Sequence, residues 1–183
     1  AGRRVLITGD TGFKGSWLAI WLKQLGAEVI GYALEPKTIM DNYVVCGLAG
    51  KMTHISADIR DYETLKSMFI KFKPEIVFHL AAQALVMDSY DSPQETYSTN
   101  VMGTVNVLEM IRETKSVKAA VFITSDKCYE NKNRLHNFRE TDRLGGNDPY
   151  SASKAACEIA ISSYMKSFFN TPDSTNIASA RAG

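Results

Sequence analysis

The stretch Val5-Leu6-Ile7-Thr8-Gly9-Asp10-Thr11-Gly12-Phe13-Lys14-Gly15 decides the fold. A short aliphatic run, right for one buried strand, passes straight into Gly-x-x-Gly-x-x-Gly, and a helical pattern opens within the glycines. Glycines permit a tight turn and let the backbone approach a ligand, while the free amides and dipole of a helix start favour negative charge. Gly9, Thr11, Gly12, Phe13, Lys14 and Gly15 are therefore the candidate cradle for the diphosphate of a dinucleotide. The alternative, a turn that needs glycines only for packing, suits a scattered triplet better than one set between strand and helix.

Working outward, aliphatic runs recur at 29–34, 76–81, 120–124 and 177–180, with helical patterns between most of them. This alternation reads as βαβ units, and so as an α/β, doubly wound parallel-sheet Rossmann fold. A helix is expected over 12–25, with Leu18, Trp21, Leu22 and Leu25 on its buried face and Gly26 as its stop. Asp61 is placed to cap a helix reaching 72, with Leu65, Met68, Phe69 and Phe72 inward and Pro74 beyond its end. Helices over 93–114 and 149–169 carry enough apolar residues to bury one face and to pair two copies as a homodimer. Segments 35–52 and 131–148 read as irregular surface loops. With no repeat or linker to divide it, 1–183 reads as one dinucleotide-binding domain.

The formal charge of +1 over 183 residues excludes a general attraction to nucleic acid or anionic membrane, so an anionic ligand must be held locally. Cys46, Cys128 and Cys157 are odd in number and form no Cys-x-x-Cys, which argues against a disulfide framework or zinc site and for a reducing cytoplasm. No apolar run approaches the roughly 18 residues of a membrane span, and the start enters a strand directly instead of a signal peptide, so a soluble protein is expected. His54, His79 and His136 are scattered, and each reads as a hydrogen-bonded histidine in preference to a metal ligand; no metal is expected. Cys128 reads as space-filling, having no neighbouring histidine to activate it.

The end of the second strand usually discriminates between cofactors, through an acid for the ribose of NAD or a base for the phosphate of NADP. Here Ala33 or Leu34 occupies that place with Glu35 just beyond and no arginine, which favours NAD. Asp58 follows the third strand, where it either accepts from the adenine amino group or makes a turn or cap, and Ile59 stands beside it. Tyr150 and Lys154 lie four apart after Asp148-Pro149, a cap and first-turn proline, so both project from one helix face. A tyrosine is a poor base at its usual pKa of about 10, and a neighbouring ammonium moves it toward neutrality. Tyr-x-x-x-Lys alone also arises by chance. The fifth strand ends in Thr124-Ser125-Asp126-Lys127, at the carboxyl edge where such sheets bind ligands, and Ser125 is placed to bond a sugar hydroxyl.

Gly9/Gly12/Gly15, Asp58, Asn100, Ser125 and Tyr150/Lys154 stand in the order and spacing of the extended short-chain dehydrogenase/reductase (NAD-dependent epimerase/dehydratase) family, which the chain resembles over nearly its whole length. Its strings Ile123 to Tyr129, Ala81-Ala82-Gln83, Thr96 to Thr104 and Gly145 to Ser151 resemble the nucleotide-sugar 4,6-dehydratases of that family, those acting on CDP-glucose above all. The resemblance implies NAD at the glycine turn, at Asp58 and Ile59, at Ala81, Ala82, Gln83 and Asn100, and at Tyr150 and Lys154. It implies a lyase for deoxysugar (O-antigen) biosynthesis, which oxidises the sugar at C4, loses water across C5 and C6, and returns the hydride to C6. Tyr150 takes the C4 hydroxyl proton and Asp126 protonates the leaving C6 hydroxyl, which requires a raised pKa that burial beside the sugar would supply. Lys127, where related dehydratases carry a glutamate, serves equally as C5 base or as electrostatic anchor. At Met87 and Asp88, read as loop, the family tends to a basic residue at the first position; the chain departs from this. Family members continue past 183 into a smaller substrate domain, so the chain reads either as a fragment or as a reduced form. An epimerase or reductase, needing neither Asp126 nor Lys127, and a non-catalytic NAD-binding module remain the other readings.

Overall fold

In the computed structural model, which describes residues 1–131 and 137–183, the aliphatic runs become a six-stranded, all-parallel sheet. The strands are β1 (Arg4–Thr8), β2 (Glu28–Ala33), β3 (Thr53–Ser56), β4 (Ile76–His79), β5 (Ala119–Ser125) and β6 (Asn176–Ala182). Their order is β3-β2-β1-β4-β5-β6. The chain winds outward from β1 to β3, then returns to the other side of β1, which opens a crevice at the carboxyl ends of β1 and β4. Helices cover both faces, as a parallel sheet requires. On one side α3 (Tyr62–Phe72), α6 (Gly103–Glu113) and α7 (Pro149–Phe168) enclose the larger core around Leu6, Ile30, Phe69, Leu108 and Ile161. On the other, α1 (Phe13–Gln24) and the short α2 (Asn42–Val45) enclose Ile7, Ala19, Val29 and Tyr43.

Local chemistry sets most of these boundaries. Asp61 caps α3 by accepting from the Thr64 N–H at 3.0 Å, and Leu65, Met68 and Phe69 are buried as their spacing requires. Removing any of these three large apolar groups from water contributes about 1.5–3 kcal/mol. α3 ends at Lys73, in the left-handed region at φ 46°, immediately before Pro74. Asp148 caps α7 through the Ser151 N–H at 2.8 Å, with Pro149 in the first turn.

Four expectations change. On α1 Leu18 and Leu22 pack partly buried against the core as expected, but the fully buried residues are Gly15, Ser16 and Ala19, and Trp21 and Leu25 are 61% and 57% exposed. The helix must lie close to the sheet beside the glycine turn, and only small side chains fit there. Segment 35–52 contains α2 and a 3-10 turn at Leu48–Gly50. The long helix expected over 93–114 is α5 (Pro93–Tyr97), a π-helical turn (Ser98–Met102) and α6. Met87 and Asp88 lie in a short helix, α4 (Val86–Asp91), and not in a loop. The segment 131–148 is irregular where described, with a single bridge from Leu144 to Tyr129; residues 132–136, and with them His136, lie outside the described residues. Among the described residues no helix is long and apolar enough to cross a membrane.

Candidate active site

A cleft of about 700 Å³ runs along the carboxyl edge of the sheet. Gly9, Thr11, Gly12, Phe13, Lys14 and Gly15 line it at the centre, Asp58 and Ile59 at one end, and Ala81, Ala82, Gln83, Tyr150 and Lys154 at the other. The glycines are there for closeness. A Cβ on Gly9, whose φ is +78°, would stand 2.8 Å from the Ala81 nitrogen, and one on Gly15 would collide with the Gly9 carbonyl. The turn is thus bare backbone packed on the β4 loop, and no side chain at Gly9, Gly12 or Gly15 stands between it and the cleft.

At the first end, Asp58 makes a turn by accepting from the Arg60 N–H at 2.8 Å, and the Arg60 guanidinium grips both of its oxygens at 2.5–3.0 Å. That hydrogen bonding holds the Asp58 carboxyl below its ordinary range. Asp58 thus shapes a turn and also lines the cleft. Glu35, Lys37 and Arg60 also line this end; sequence reasoning did not assign the two cations.

At the other end, Tyr150 and Lys154 are both buried, at 9% and 7% exposure, on the face of α7 that covers β5. Lys154 was expected to pull Tyr150 toward neutrality. Instead burial raises the Tyr150 hydroxyl above its ordinary value, and a hydrogen bond with Ser125 is what opposes the rise. Lys154, lowered by its own burial, directs its ammonium at the Ile123 carbonyl, 3.5 Å away. Ser125 closes β5 at 7% exposure and accepts from the Lys127 N–H at 3.2 Å, so it sets the 3-10 turn Asp126–Cys128. The Asp126 and Lys127 side chains lie 4.0 Å apart and about half exposed, at 46% and 54%, outside the cofactor cleft and beside its tyrosine end. Burial of Asp126 is not provided by the residues described. Cys128 is wholly buried and its thiol is pushed up to about 11, as befits a space-filler.

Asn100 does not line the cleft. Its side chain accepts from the Gln83 N–H at 2.8 Å and donates to the Gln83 carbonyl at 3.1 Å and to Ser153 Oγ at 2.8 Å, so it shapes the wall from behind. A second support lies beneath. Leu80 and Ala81 N–H groups both donate to Thr8 Oγ1 at 3.2 Å, leaving its hydrogen for His79 Nδ1 at 2.7 Å. Thr104 gives its own hydrogen to the Asn100 carbonyl at 2.7 Å and so accepts from His79 Nε2–H at 3.2 Å, which fixes the tautomer. His79 is a committed core histidine, pushed down to about 3 by burial. Sequence reasoning missed three other supports. The Tyr150 N–H donates to Ser89 Oγ at 3.2 Å, and Ser89 is fully buried. Buried Glu158 accepts from Thr124 at 2.5 Å and from Arg181 at 2.7 Å, and Arg181 continues to the Tyr129 hydroxyl at 2.7 Å. Glu158 stands four residues after Lys154, a spacing that was the available signal.

Fold and site together define a Rossmann dinucleotide-binding domain carrying the serine, tyrosine and lysine of an extended short-chain dehydrogenase/reductase. The chain belongs to the GDP-mannose 4,6 dehydratase family, whose sequence model matches residues 6–181. It is 50% identical over 186 residues to the CDP-glucose 4,6-dehydratase of Salmonella typhimurium, covering 100% of this chain and 52% of that protein. With the CDP-paratose 2-epimerase of Salmonella typhi it shares 29% identity, over 90% of this chain and 54% of that one. Among solved structures, the Thermotoga maritima UDP-glucose 4-epimerase with UDP-glucose matches at TM-score 0.85 and 26% identity, covering 97% of this chain and 54% of that one. The Thermus thermophilus UDP-glucose 4-epimerase, a complex with NAD, matches at 0.82 and 30%, with 97% and 54% covered. The chain spans about half the length of the curated relatives it matches.

Proposed function

We propose that this chain is the NAD-binding and catalytic portion of a nucleotide-sugar 4,6-dehydratase that converts CDP-glucose to CDP-4-keto-6-deoxyglucose and water. The observation that carries the reading is the grouping of Ser125, Tyr150 and Lys154 around the end of β5, with Asp126 and Lys127 on the very next turn. The 50% identity to a CDP-glucose 4,6-dehydratase supports both the reaction and the sugar nucleotide.

The residues present fit NAD: bare glycine backbone for the diphosphate, Glu35 and Asp58 at the adenosine end, and the Ala81–Gln83 wall at the nicotinamide end. When bound, NAD supplies an acceptor for the C4 hydride and a donor that returns it. The chain's own groups do the rest. Ser125 holds the C4 hydroxyl and steadies the Tyr150 hydroxyl, which removes its proton, while Lys154 stands one helical turn further along the same face. Asp126 donates a proton to the departing C6 hydroxyl, its carboxyl becoming buried only when the sugar lies over it. Lys127, at the same turn, acts on C5 as base or steadies the charge that develops there.

In the whole protein a substrate domain outside these residues would close the sugar side and read the cytosine. Two copies would pair through α5, the π-helical turn, α6 and α7, where Tyr97, Met102, Ile159 and Phe168 are 40–61% exposed. Three free cysteines suit the cytoplasm.

The test is to incubate the full-length protein with CDP-glucose and NAD and follow the absorbing 4-keto product in alkali. Product that disappears in Asp126→Asn, and slows in Lys127→Ala, supports the assignment. Lys127→Ala eliminating at the wild-type rate would refute both of its roles. Turnover of another sugar nucleotide, with none of CDP-glucose, would favour the epimerase or reductase reading.

A further inference from the structure

Three successive residues of the glycine turn are each tied to the sheet. The Gly9 N–H donates to the Tyr32 carbonyl at 2.9 Å, and Thr11 Oγ1 donates to the Leu34 carbonyl at 2.9 Å. Between them Asp10, with no exposed surface, meets His54 Nδ1 of β3 at 2.8 Å through Oδ2. Of the three anchors only this one carries charge and can titrate. Its carboxylate lies directly over Gly31 of β2, where a Cβ would collide with it, so β2 has a glycine where the aspartate crosses.

We propose that the Asp10–His54 pair is a positioning device for the cofactor's diphosphate, and that it makes dinucleotide affinity depend on the protonation of a histidine that never touches the ligand. The proposal rests on the NAD-binding reading of the cleft. Gly9 and Thr11, on either side of Asp10, line that cleft, whereas Asp10 stands beneath it. An unpaired carboxylate there would oppose a bound diphosphate; a protonated His54 cancels it and holds the turn to β3.

The two histidines under the site contrast in this respect. Both ring nitrogens of His79 are committed to threonines, and it is locked neutral. His54 has Nδ1 on Asp10, while its buried Nε2, together with Asp10 Oδ1 and Tyr43 Oη, has no protein partner among the described residues. The hydrogen bond that the ring gives to Asp10 raises His54 above its ordinary 6.5, against the effect of its burial. The other groups facing it are Glu35 beyond β2, whose charge also raises it, and Tyr43 of α2, whose ring centroid is 5.3 Å away and whose hydroxyl is pushed up to about 12. Among these groups the histidine is the one whose ordinary value lies nearest neutrality. Since the folded value is raised above 6.5, the pair is fully formed below 6.5 and is lost as pH rises through the folded value. Bound diphosphate, adding negative charge above the turn, should draw a proton to His54.

The experiment is calorimetric titration of the full-length protein with NAD and with ADP-ribose between pH 6 and 9, in buffers of different ionisation heat. The expected result for wild type is a dissociation constant that rises roughly tenfold over this range for both ligands, with proton uptake on binding at the upper end. Asp10→Asn and His54→Gln should bind both ligands with weak pH dependence and without that uptake, and thermal melts with circular dichroism report that they are folded. Wild-type pH dependence retained in both folded variants would overturn the proposal, as would a flat wild-type profile. Absence of NAD binding at every pH would overturn this proposal and the cofactor reading together, whereas binding with a flat profile overturns this proposal alone.

Discussion

Tyr150 is the residue on which the chemistry turns, and its surroundings separate catalysis from binding. Phenylalanine at 150 keeps the ring that lines the cleft and removes only the hydroxyl that faces Ser125. Tyr150→Phe should therefore lower turnover by about 10²–10⁴ while leaving NAD affinity unchanged, measured by product formation and by calorimetry. His79 makes a different prediction. Its folded value of about 3 lies below its ordinary 6.5, so the neutral ring's contribution is complete above 6.5 and is lost as pH falls from there toward 3. Stability should fall by up to about 1.4 kcal/mol per pH unit in that window, and urea midpoints of His79→Gln should fall less steeply. His54 has the opposite sign, and its pairing weakens as pH rises.

At the scale of elements, the π turn Ser98–Met102 carries the most weight. It is one residue too many for an α-helix, and it presents the Asn100 carbonyl to Thr104 and to the Cys157 thiol, at 2.7 and 3.1 Å, while the Asn100 side chain holds Gln83. Deleting Val101 would make α5 and α6 one regular helix and turn Asn100 by about 100° away from Gln83. Losing two or three hydrogen bonds there should weaken NAD binding by roughly 10- to 100-fold, with helical content by circular dichroism preserved. This turn was not legible in the sequence, because residues 93–114 carry an ordinary helical pattern. By contrast β1, β2, β4, β5 and β6 were legible as aliphatic runs, and α3 through its cap and apolar spacing. β3, Thr53-His54-Ile55-Ser56, was not read directly because an edge strand needs no such run. The face of α1 was half legible: Leu18 and Leu22 pack inward, whereas Trp21 and Leu25 do not, because the closest approach to the sheet is through Gly15, Ser16 and Ala19, which a periodicity of large residues does not locate. In the site, the glycine turn and Tyr150/Lys154 were visible because their spacing is local. Asp10 with His54, Ser89 with Tyr150 and Glu158 with Arg181 were not, since each pair joins separate elements.

For the molecule as a whole, Glu158 is the clamp that joins α7, β5 and β6. It is 4% exposed and takes Thr124 from β5 and both Ser179 and Arg181 from β6. Glu158→Ala would leave Arg181 without its charge partner in a largely buried setting, a loss of about 3–5 kcal/mol. The melting temperature should drop by roughly 6–20 °C, read by calorimetry, and Glu158→Gln should drop it less. The strand that this clamp secures also ends the sheet. β6 pairs with β5 through all seven of its residues, and its opposite side faces no other strand among those described. The outward-facing N–H and C=O groups of alternate β6 residues, with exposed Ala178 and Ala180 along the strand, form a template for any extended chain that meets it. The 183-residue chain by itself should therefore scatter light increasingly with concentration and time, and Ala178→Lys, placing charge along that margin, should slow the growth of the aggregates.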